Sequence, residues 1–341
     1  IPDYPTHGNK ITLHHLLNQT SGIKELLSIE DKNNLPSISY KPLELISIFK
    51  DQPLAFVPGS KWSYSNSNYS ILGYIIEIAS GMSYAKFMEE NIFKPAGMFH
   101  TMDGINEKII KNRIPGYYRG RSGTFYNADF LHLSYPYASG SILSTVEDMY
   151  KWQQALDKNL LIKEEIKAKA FTNFAVQGKE TNYGYGWFLN EISSSPSYEH
   201  SGGTRGFSSN GIYLPNEKLY VIILSNCVVY PVESICTLVA SHALGKPPVY
   251  PPIIKLSNQE LEKFIGSYLL DDGRQITVEK DGDEIATVMY SLKRIIHPYK
   301  QNIFFTPGSF ENFEFIINNK QDISGIIYSN RKEVNTGKKI K

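Results

Sequence analysis

Two short segments hold side chains that can do chemistry. The first is Pro58-Gly59-Ser60-Lys61-Trp62-Ser63-Tyr64-Ser65-Asn66-Ser67-Asn68-Tyr69. It sets a phenol and a carboxamide two positions apart, between a Pro-Gly turn and the apolar positions Ile71, Leu72, Ile75, Ile76 and Ile78. A phenol can shuttle a proton when nearby cations lower its pKa, and a carboxamide can hold a substrate carbonyl. The same Ser and Asn residues would equally serve as helix caps. The second segment is Glu199-His200-Ser201-Gly202-Gly203-Thr204-Arg205-Gly206-Phe207-Ser208-Ser209. An alternating stretch (210–215), a turn at Asn216-Glu217 and an apolar strand (220–224) follow it. Glycines at a strand edge let another group approach the backbone closely. A His, a hydroxyl and bare backbone N–H groups there could bind the carbonyl of an acyl substrate. A glycine-rich hairpin without chemistry would read the same way.

Together the two segments resemble the serine β-lactamase and penicillin-binding-protein superfamily, in its class C-like branch of D-aminopeptidases, DD-peptidases and esterases. That family uses a Ser-x-x-Lys nucleophile, a Tyr-x-Asn and a Lys-Thr-Gly or His-x-Gly strand. Tyr64-Ser65-Asn66 matches the second element and His200-Ser201-Gly202 the third. The resemblance continues through Ile11 to Leu17, Thr20-Ser21-Gly22, and Ile92 to Met98. It also takes in Ser139 to Thr145 with Asp148 and Trp152, and Tyr183-Gly184-Tyr185-Gly186-Trp187. It covers roughly residues 8–244.

The family's first element has no match in context. Ser-x-x-Lys occurs at Ser21/Lys24, Ser47/Lys50, Ser83/Lys86 and Ser329/Lys332, none preceding the segment from His15 to Gly22 by the tens of residues the family shows. We expect an N-terminal segment carrying the nucleophile to be missing, rather than a relative that has lost it. Residue 1 is Ile, not Met. In the family the absent part also supplies a terminal helix, sheet strands and the central helix of the helical lobe. Its loss would expose apolar surface worth roughly 25 cal/mol per Å².

The elements that must position these residues follow from pattern. Thr12 should cap a helix carrying Leu13, Leu16 and Leu17, and helices are expected over 42–50, 69–80 and 84–93. Residues 101–140 read as a long aromatic, glycine-punctuated loop region, which in the resembled fold borders the substrate cleft; surface packing by tyrosines is the alternative. Thr145 should start a helix with Val146, Met149, Trp152 and Leu156 inward. Strands are expected at 185–190, 210–214 and 219–225, and a closing helix at 231–244. Pro247 to Pro252 reads as a stiff linker. Beyond it come a short helix (258–264) and strands at 275–279, 285–290, 303–306, 313–317 and 323–328, separated by turns such as Asp271-Asp272-Gly273. This pattern, and Phe264-Ile265-Gly266-Ser267-Tyr268 in particular, resembles the lipocalin-like barrel at the C-terminus of many family members.

The fold expected is therefore α+β: a β-lactamase-like fold, with an antiparallel sheet flanked by helices plus a helical lobe, and then a small antiparallel β-barrel-like domain. The domains would be residues 1–245 and 258–341, joined by a linker at 246–257.

Composition narrows the function. Lys plus Arg total 35 and Asp plus Glu 34 in 341 residues, a net charge of +1, so nothing in the balance suggests a nucleic-acid or polyanion partner. No apolar run approaches the ~20 residues of a membrane helix. The two cysteines, Cys227 and Cys236, match no common zinc spacing; a disulfide is open, and two buried thiols are the expectation. No His-Glu-x-x-His or phosphate-binding glycine loop is present, and no metal or other cofactor is expected.

What the resemblance implies is a serine hydrolase acting on an amide or ester through an acyl-enzyme, with peptidase or esterase work favoured over β-lactam turnover because His200 replaces the strand lysine. The substrate would be a small molecule, a peptide or a peptidoglycan fragment. Tyr64 would share in proton transfer, Asn66 would bind the substrate carbonyl or orient the nucleophile's lysine, and His200 would bind a substrate carboxylate or hydroxyl. Ser201, Gly202 and Gly203 would bind substrate, with the Gly203 N–H as half of an oxyanion hole. The alternative is a non-catalytic peptidoglycan- or peptide-binding relative. The family is mostly exported, so a periplasmic or extracellular location is expected.

Overall fold

Thr12 opens the first helix as its type and position dictate. Its hydroxyl accepts from His15 N at 3.2 Å, and His15 Nδ1 accepts from Thr12 N, a reciprocal cap over α1 (Leu13–Leu17). The computed structural model describes residues 4–6, 8–29, 35–104, 106–120, 123–289, 292–330 and 334–340. They fall in two units, Ile1–Tyr118 with Phe125–Tyr230, and Arg119–Thr124 with Pro231–Lys341.

In the first unit α2 (Pro42–Ser47) starts with proline at its first turn, where a missing N–H costs nothing. α3 (Asn66–Ser80) begins earlier than its apolar spacing suggests and ends at Gly81, whose φ of 68° makes a left-handed cap. Ile71 is buried, whereas Ile78 is largely exposed. Ser83 caps α4 (Tyr84–Met88), which runs into a π-helical stretch at Glu89–Phe93 before Pro95. Leu16, Ile23, Leu26, Leu45, Ile46, Phe49, Ile71, Tyr84, Tyr135 and Tyr137 form one core. The tyrosines of the loop region are thus divided: Tyr135 and Tyr137 are interior, Phe125 and Tyr126 exposed.

α5 (Val146–Asp157) is capped by Thr145 as expected, but its inward face differs. Val146 is exposed and Asp148 is fully buried. The reason is electrostatic: the Asp148 carboxylate accepts from His100 N (2.7 Å), Thr101 Oγ1 (3.0 Å) and Lys151 Nζ (2.7 Å), which compensates its burial. α6 (Glu164–Ala170) follows.

The sheet of this unit has four antiparallel strands, β1 (Phe188–Ile192), β2 (Ser195–Thr204), β3 (Phe207–Leu214) and β4 (Leu219–Ser225), in the order β4-β3-β2-β1. Pro196 and the glycines of β2 depress its strand propensity, so only the resemblance, through His200-Ser201-Gly202, marked part of it as a strand. The β2–β3 register pairs His200 with Gly211, Gly202 with Ser209 and Gly203 with Ser208.

The second unit holds α7 (Val232–Ala243), α8 (Asn258–Glu262) and a closed antiparallel barrel of eight strands. These are β5 (Gly266–Leu270), β6 (Gln275–Asp281), β7 (Glu284–Met289), β8 (Leu292–Lys300), β9 (Ile303–Phe305), β10 (Asn312–Ile317), β11 (Ile323–Ser329) and β12 (Val334–Lys339). β5 pairs with β12, Tyr268 opposite Lys339, and closes the barrel. Three strands (β5, β8, β12) were not anticipated, because Gly266 in β5, Pro298 in β8 and the polar Asn335-Thr336-Gly337-Lys338-Lys339 in β12 mask their alternation. Tyr290, the end of an expected strand, lies outside the described residues, as does Lys332. Tyr268, Phe304, Phe313, Phe315 and Tyr328 pack with buried aliphatic and aromatic neighbours such as Phe264, Leu270, Ile276, Ile296 and Ile326, so this barrel is packed rather than hollow. The segment 247–252 has no regular structure, but Tyr250 stacks on Phe305 with ring centroids 5.7 Å apart. Cys227 and Cys236 are both buried and form no disulfide.

Candidate active site

The start of α3 is built by a loop far from it in sequence. Ser65 is the N-cap residue, yet its side chain makes no capping bond. Instead Ser65 N and Asn68 Nδ2 both donate to Gln19 Oε1, at 3.0 and 2.6 Å. Ser63 N donates to Gln19 O at 3.0 Å, and Ser21 Oγ donates to Asn68 Oδ1 at 2.6 Å. Gln19 sits at φ 65° and Gly22 at φ 76°, so the loop begins and ends on left-handed residues. Asn66 N donates to the Glu25 carboxylate, and Asn66 Nδ2 donates to Glu25 Oε1 at 2.9 Å. Capping is therefore supplied across space by Gln19 and Glu25, not by the local Ser and Asn residues.

This frame brings Tyr64 against the sheet. The Tyr64 ring lies 6.0 Å from the His200 imidazole, centroid to centroid, and 6.4 Å from Tyr183. Phe188 packs on His200 at 5.6 Å and on Tyr183 at 4.8 Å, and Trp62 lies 5.7 Å from Tyr183. His200 Nδ1 is 2.7 Å from Ser201 O. A carbonyl oxygen only accepts, so Nδ1 carries the proton. Nε2 then faces the Tyr183 hydroxyl at 3.5 Å. Tyr183 is itself fully buried and bonded to Tyr69, whose hydroxyl donates to Leu17 O at 3.1 Å. The phenols are all held up by their surroundings. Burial, and then the Glu25 carboxylate, raises Tyr64 above the ordinary phenol value. Burial raises Tyr69 and Tyr183 as well. Without an added cation, Tyr64 is a neutral donor at pH 7.

Of the residues singled out in the sequence, Tyr64 and His200 meet. Asn66 is the first residue of α3, tied to Glu25. Ser201, Gly202 and Gly203 continue β2 beyond His200 and pair with Asn210, Ser209 and Ser208. A Cβ at Gly202 would come within 2.7 Å of Ser209 Oγ, whereas one at Gly203 would meet nothing within 4 Å. Gly203 thus lies where a ligand can reach the backbone. Sequence reasoning missed Glu25 and Gln19, which carry no motif, and gave Tyr183 no role although its Tyr-Gly-Tyr-Gly-Trp stretch was noted.

The candidate serines are engaged elsewhere. Ser21 is buried in its turn, Ser47 Oγ donates to Glu44 O in its own helix, Ser83 caps α4 and Ser329 lies in barrel strand β11. Among the described residues no group of His, Cys, Asp and Glu is placed to hold a metal ion, and no helix is long and apolar enough to cross a membrane.

The chain is similar in sequence and fold to known proteins. A family model described as Beta-lactamase matches residues 1–238. Penicillin-binding protein 4* of Bacillus subtilis (strain 168) is 29% identical over 358 residues, covering 98% of this chain and 79% of that protein. The putative penicillin-binding protein PbpX of the same organism is 35% identical over 231 residues, covering 66% of this chain and 53% of that protein. Among solved structures, a D-stereospecific amidohydrolase from Streptomyces sp. superposes with a TM-score of 0.57 at 25% identity, covering 64% of this chain and 68% of that one.

Proposed function

This chain belongs to the beta-lactamase family, and on that premise we propose that it forms the Tyr-x-Asn and His-x-Gly side of a serine hydrolase cleft that cleaves an amide or ester through an acyl-enzyme. The observation that carries the reading is the meeting of Tyr64 and His200, from α3's leading loop and from β2, at 6.0 Å beside the open Gly203 edge. Peptidase or esterase work is favoured over β-lactam turnover. The similarity to a D-stereospecific amidohydrolase supports an amide substrate. A peptide, a peptidoglycan fragment or a related small molecule would fit this class.

In this reading the nucleophile is a Ser-x-x-Lys serine outside residues 1–341, in a segment that also completes the fold, and the serines of the chain itself do not serve. The serine attacks the carbonyl carbon and its lysine partner takes the proton. Tyr64 shares in that transfer and returns a proton to the leaving group. Asn66 orients the lysine or the substrate carbonyl. The Gly203 N–H meets the oxyanion, with the serine's own N–H as the other donor. His200 packs beside Tyr64; its Nε2 would accept from a substrate hydroxyl, or, with the ring protonated, donate to a substrate carboxylate, and Ser201 and Gly202 line the strand along which the substrate lies. A periplasmic or extracellular location goes with this reading.

A non-catalytic peptidoglycan- or peptide-binding role for the same cleft is the competing reading, and it draws on the engagement of Ser21, Ser47 and Ser83 in turns and caps. The deciding experiment is intact-mass measurement after incubation with a fluorophosphonate or penicillin probe. The full-length protein should gain one adduct on an upstream serine, and residues 1–341 alone should gain none. A full-length protein that gains none favours the binding role; an adduct on any serine of this chain overturns the assignment of the nucleophile.

A further inference from the structure

The Glu25 carboxylate makes three hydrogen bonds that converge on the start of α3 and its own turn. It accepts from Leu27 N at 3.0 Å, from Asn66 N, and from Asn66 Nδ2 at 2.9 Å. Only the last is needed to choose between the two orientations of the Asn66 amide. Exchanging oxygen and nitrogen would set Asn66 Oδ1 against a carboxylate oxygen, two acceptors facing each other. The nitrogen must therefore point to Glu25, and Oδ1 points away from it. Asn66 is half-buried, and its bonds to Glu25 engage the backbone N–H and Nδ2, leaving Oδ1 on the side away from the carboxylate. Glu25 belongs to no motif, and its place in the sequence, after the Thr-Ser-Gly turn, gave no hint of this contact.

We propose that Glu25 is a positioning residue for the site: it locks the Asn66 carboxamide so that Oδ1, an acceptor, is the atom presented to an N–H or ammonium donor, while the second Nδ2 proton stays available beside it. The proposal rests on the reading of Asn66 as part of a hydrolase cleft. It assigns the cleft a fixed polarity at Asn66 that a free amide, able to turn over, would not have. Two of the three bonds hold backbone N–H groups, so Glu25 also fixes where the amide stands, not only how it is turned. Charge-assisted bonds of this kind are about twice as strong as neutral ones.

The test separates orientation from activity. In 15N-labelled full-length protein the Asn66 side-chain NH2 protons should show one strongly downfield, slowly exchanging proton. Glu25→Ala should bring it back toward the value of a free amide, and Glu25→Gln should do so partly. An unchanged Asn66 signal in Glu25→Ala overturns the proposal whether or not the protein turns anything over. In parallel, kcat/KM is measured on an amide substrate for Glu25→Ala, Asn66→Ala and the double variant, with thermal midpoints to check folding. Glu25→Ala should lose at least about 10-fold, and the double variant should lose no more than Asn66→Ala alone, since Glu25 acts through Asn66. Losses that multiply in the double variant overturn the proposal. A wild-type protein with no turnover and no probe adduct, but with the expected Asn66 signal, overturns the hydrolase reading and leaves the Glu25 lock standing.

Discussion

The rings of Tyr64 and His200 lie 6.0 Å apart although one precedes a helix and the other sits in the middle of a strand in the opposite half of the chain. Phe188 and Tyr183 close the ring of aromatics around them. The arrangement gives a phenol and an imidazole a common, half-buried setting in which one proton more or less changes the charge.

Tyr64→Phe keeps that packing and deletes one hydroxyl. In the full-length protein it should leave the thermal midpoint nearly unchanged and cost turnover roughly 10²–10⁴-fold, the usual worth of a positioned acid–base group. Wild-type turnover in this variant, beside a dead variant of the serine proposed as nucleophile, would make Tyr64 structural.

The buried phenols predict sensitivity to alkali. Burial raises Tyr64, Tyr69 and Tyr183 in the folded chain, while phenols in the unfolded chain titrate near 10. A raised folded value means that the contribution is whole below about pH 10 and is lost as pH rises toward the folded values. Thermal midpoints should hold steady from about pH 7 to 9 and fall above 10, less steeply in Tyr183→Phe. Parallel curves for variant and wild type would show that the cluster is not responsible.

Asp148 should matter on the acid side. Burial pushes its carboxyl up, but Lys151, the His100 N–H and Thr101 together outweigh burial and hold it below the ordinary carboxylate value. A depressed folded value gives stability that is present above the unfolded value near 3.9 and is lost as pH falls below it. Asp148→Asn should cost about 2 kcal/mol in urea at pH 7, and the gap to wild type should narrow below about pH 4. An equal gap at both pH values would mean that shape, not charge, sets the cost.

Gly22 has no room for a side chain. Its φ is 76°, and a Cβ would stand 2.1 Å from Phe56 O. Gly22→Ala should destabilise by roughly 3 kcal/mol or more and loosen the Gln19 to Gly22 turn that seats α3. A variant that melts with the wild type would show that this turn yields cheaply.

The division into domains 1–245 and 258–341 across a 246–257 linker remains a proposal, and limited proteolysis checks it. Cleavage should fall within 246–257, beginning near Val249, which is 94% exposed, rather than at Tyr250, whose ring stacks on Phe305. Early cuts inside 258–341, with 246–257 intact, would count against it.

What the sequence determined by itself is local or motif-borne. The caps at Thr12 and Thr145, the α3 stripe and the last two sheet strands follow from short-range spacing and hydrogen bonding, and the structure has them. Tyr64, Asn66 and His200 could be proposed from the sequence because the resembled family writes them in contiguous triplets. What only tertiary structure decided is who answers them. Glu25 on Asn66, Gln19 beneath Ser65 and Asn68, Tyr183 behind His200 and the buried Asp148 on His100 and Thr101 are all partners from distant segments. A carboxylate or an amide has no sequence signature for such a role, because its partner is fixed by chain packing and not by spacing. The barrel shows the same limit: its closure through β5 and β12 depends on register between segments at its two ends, which no local alternation specifies.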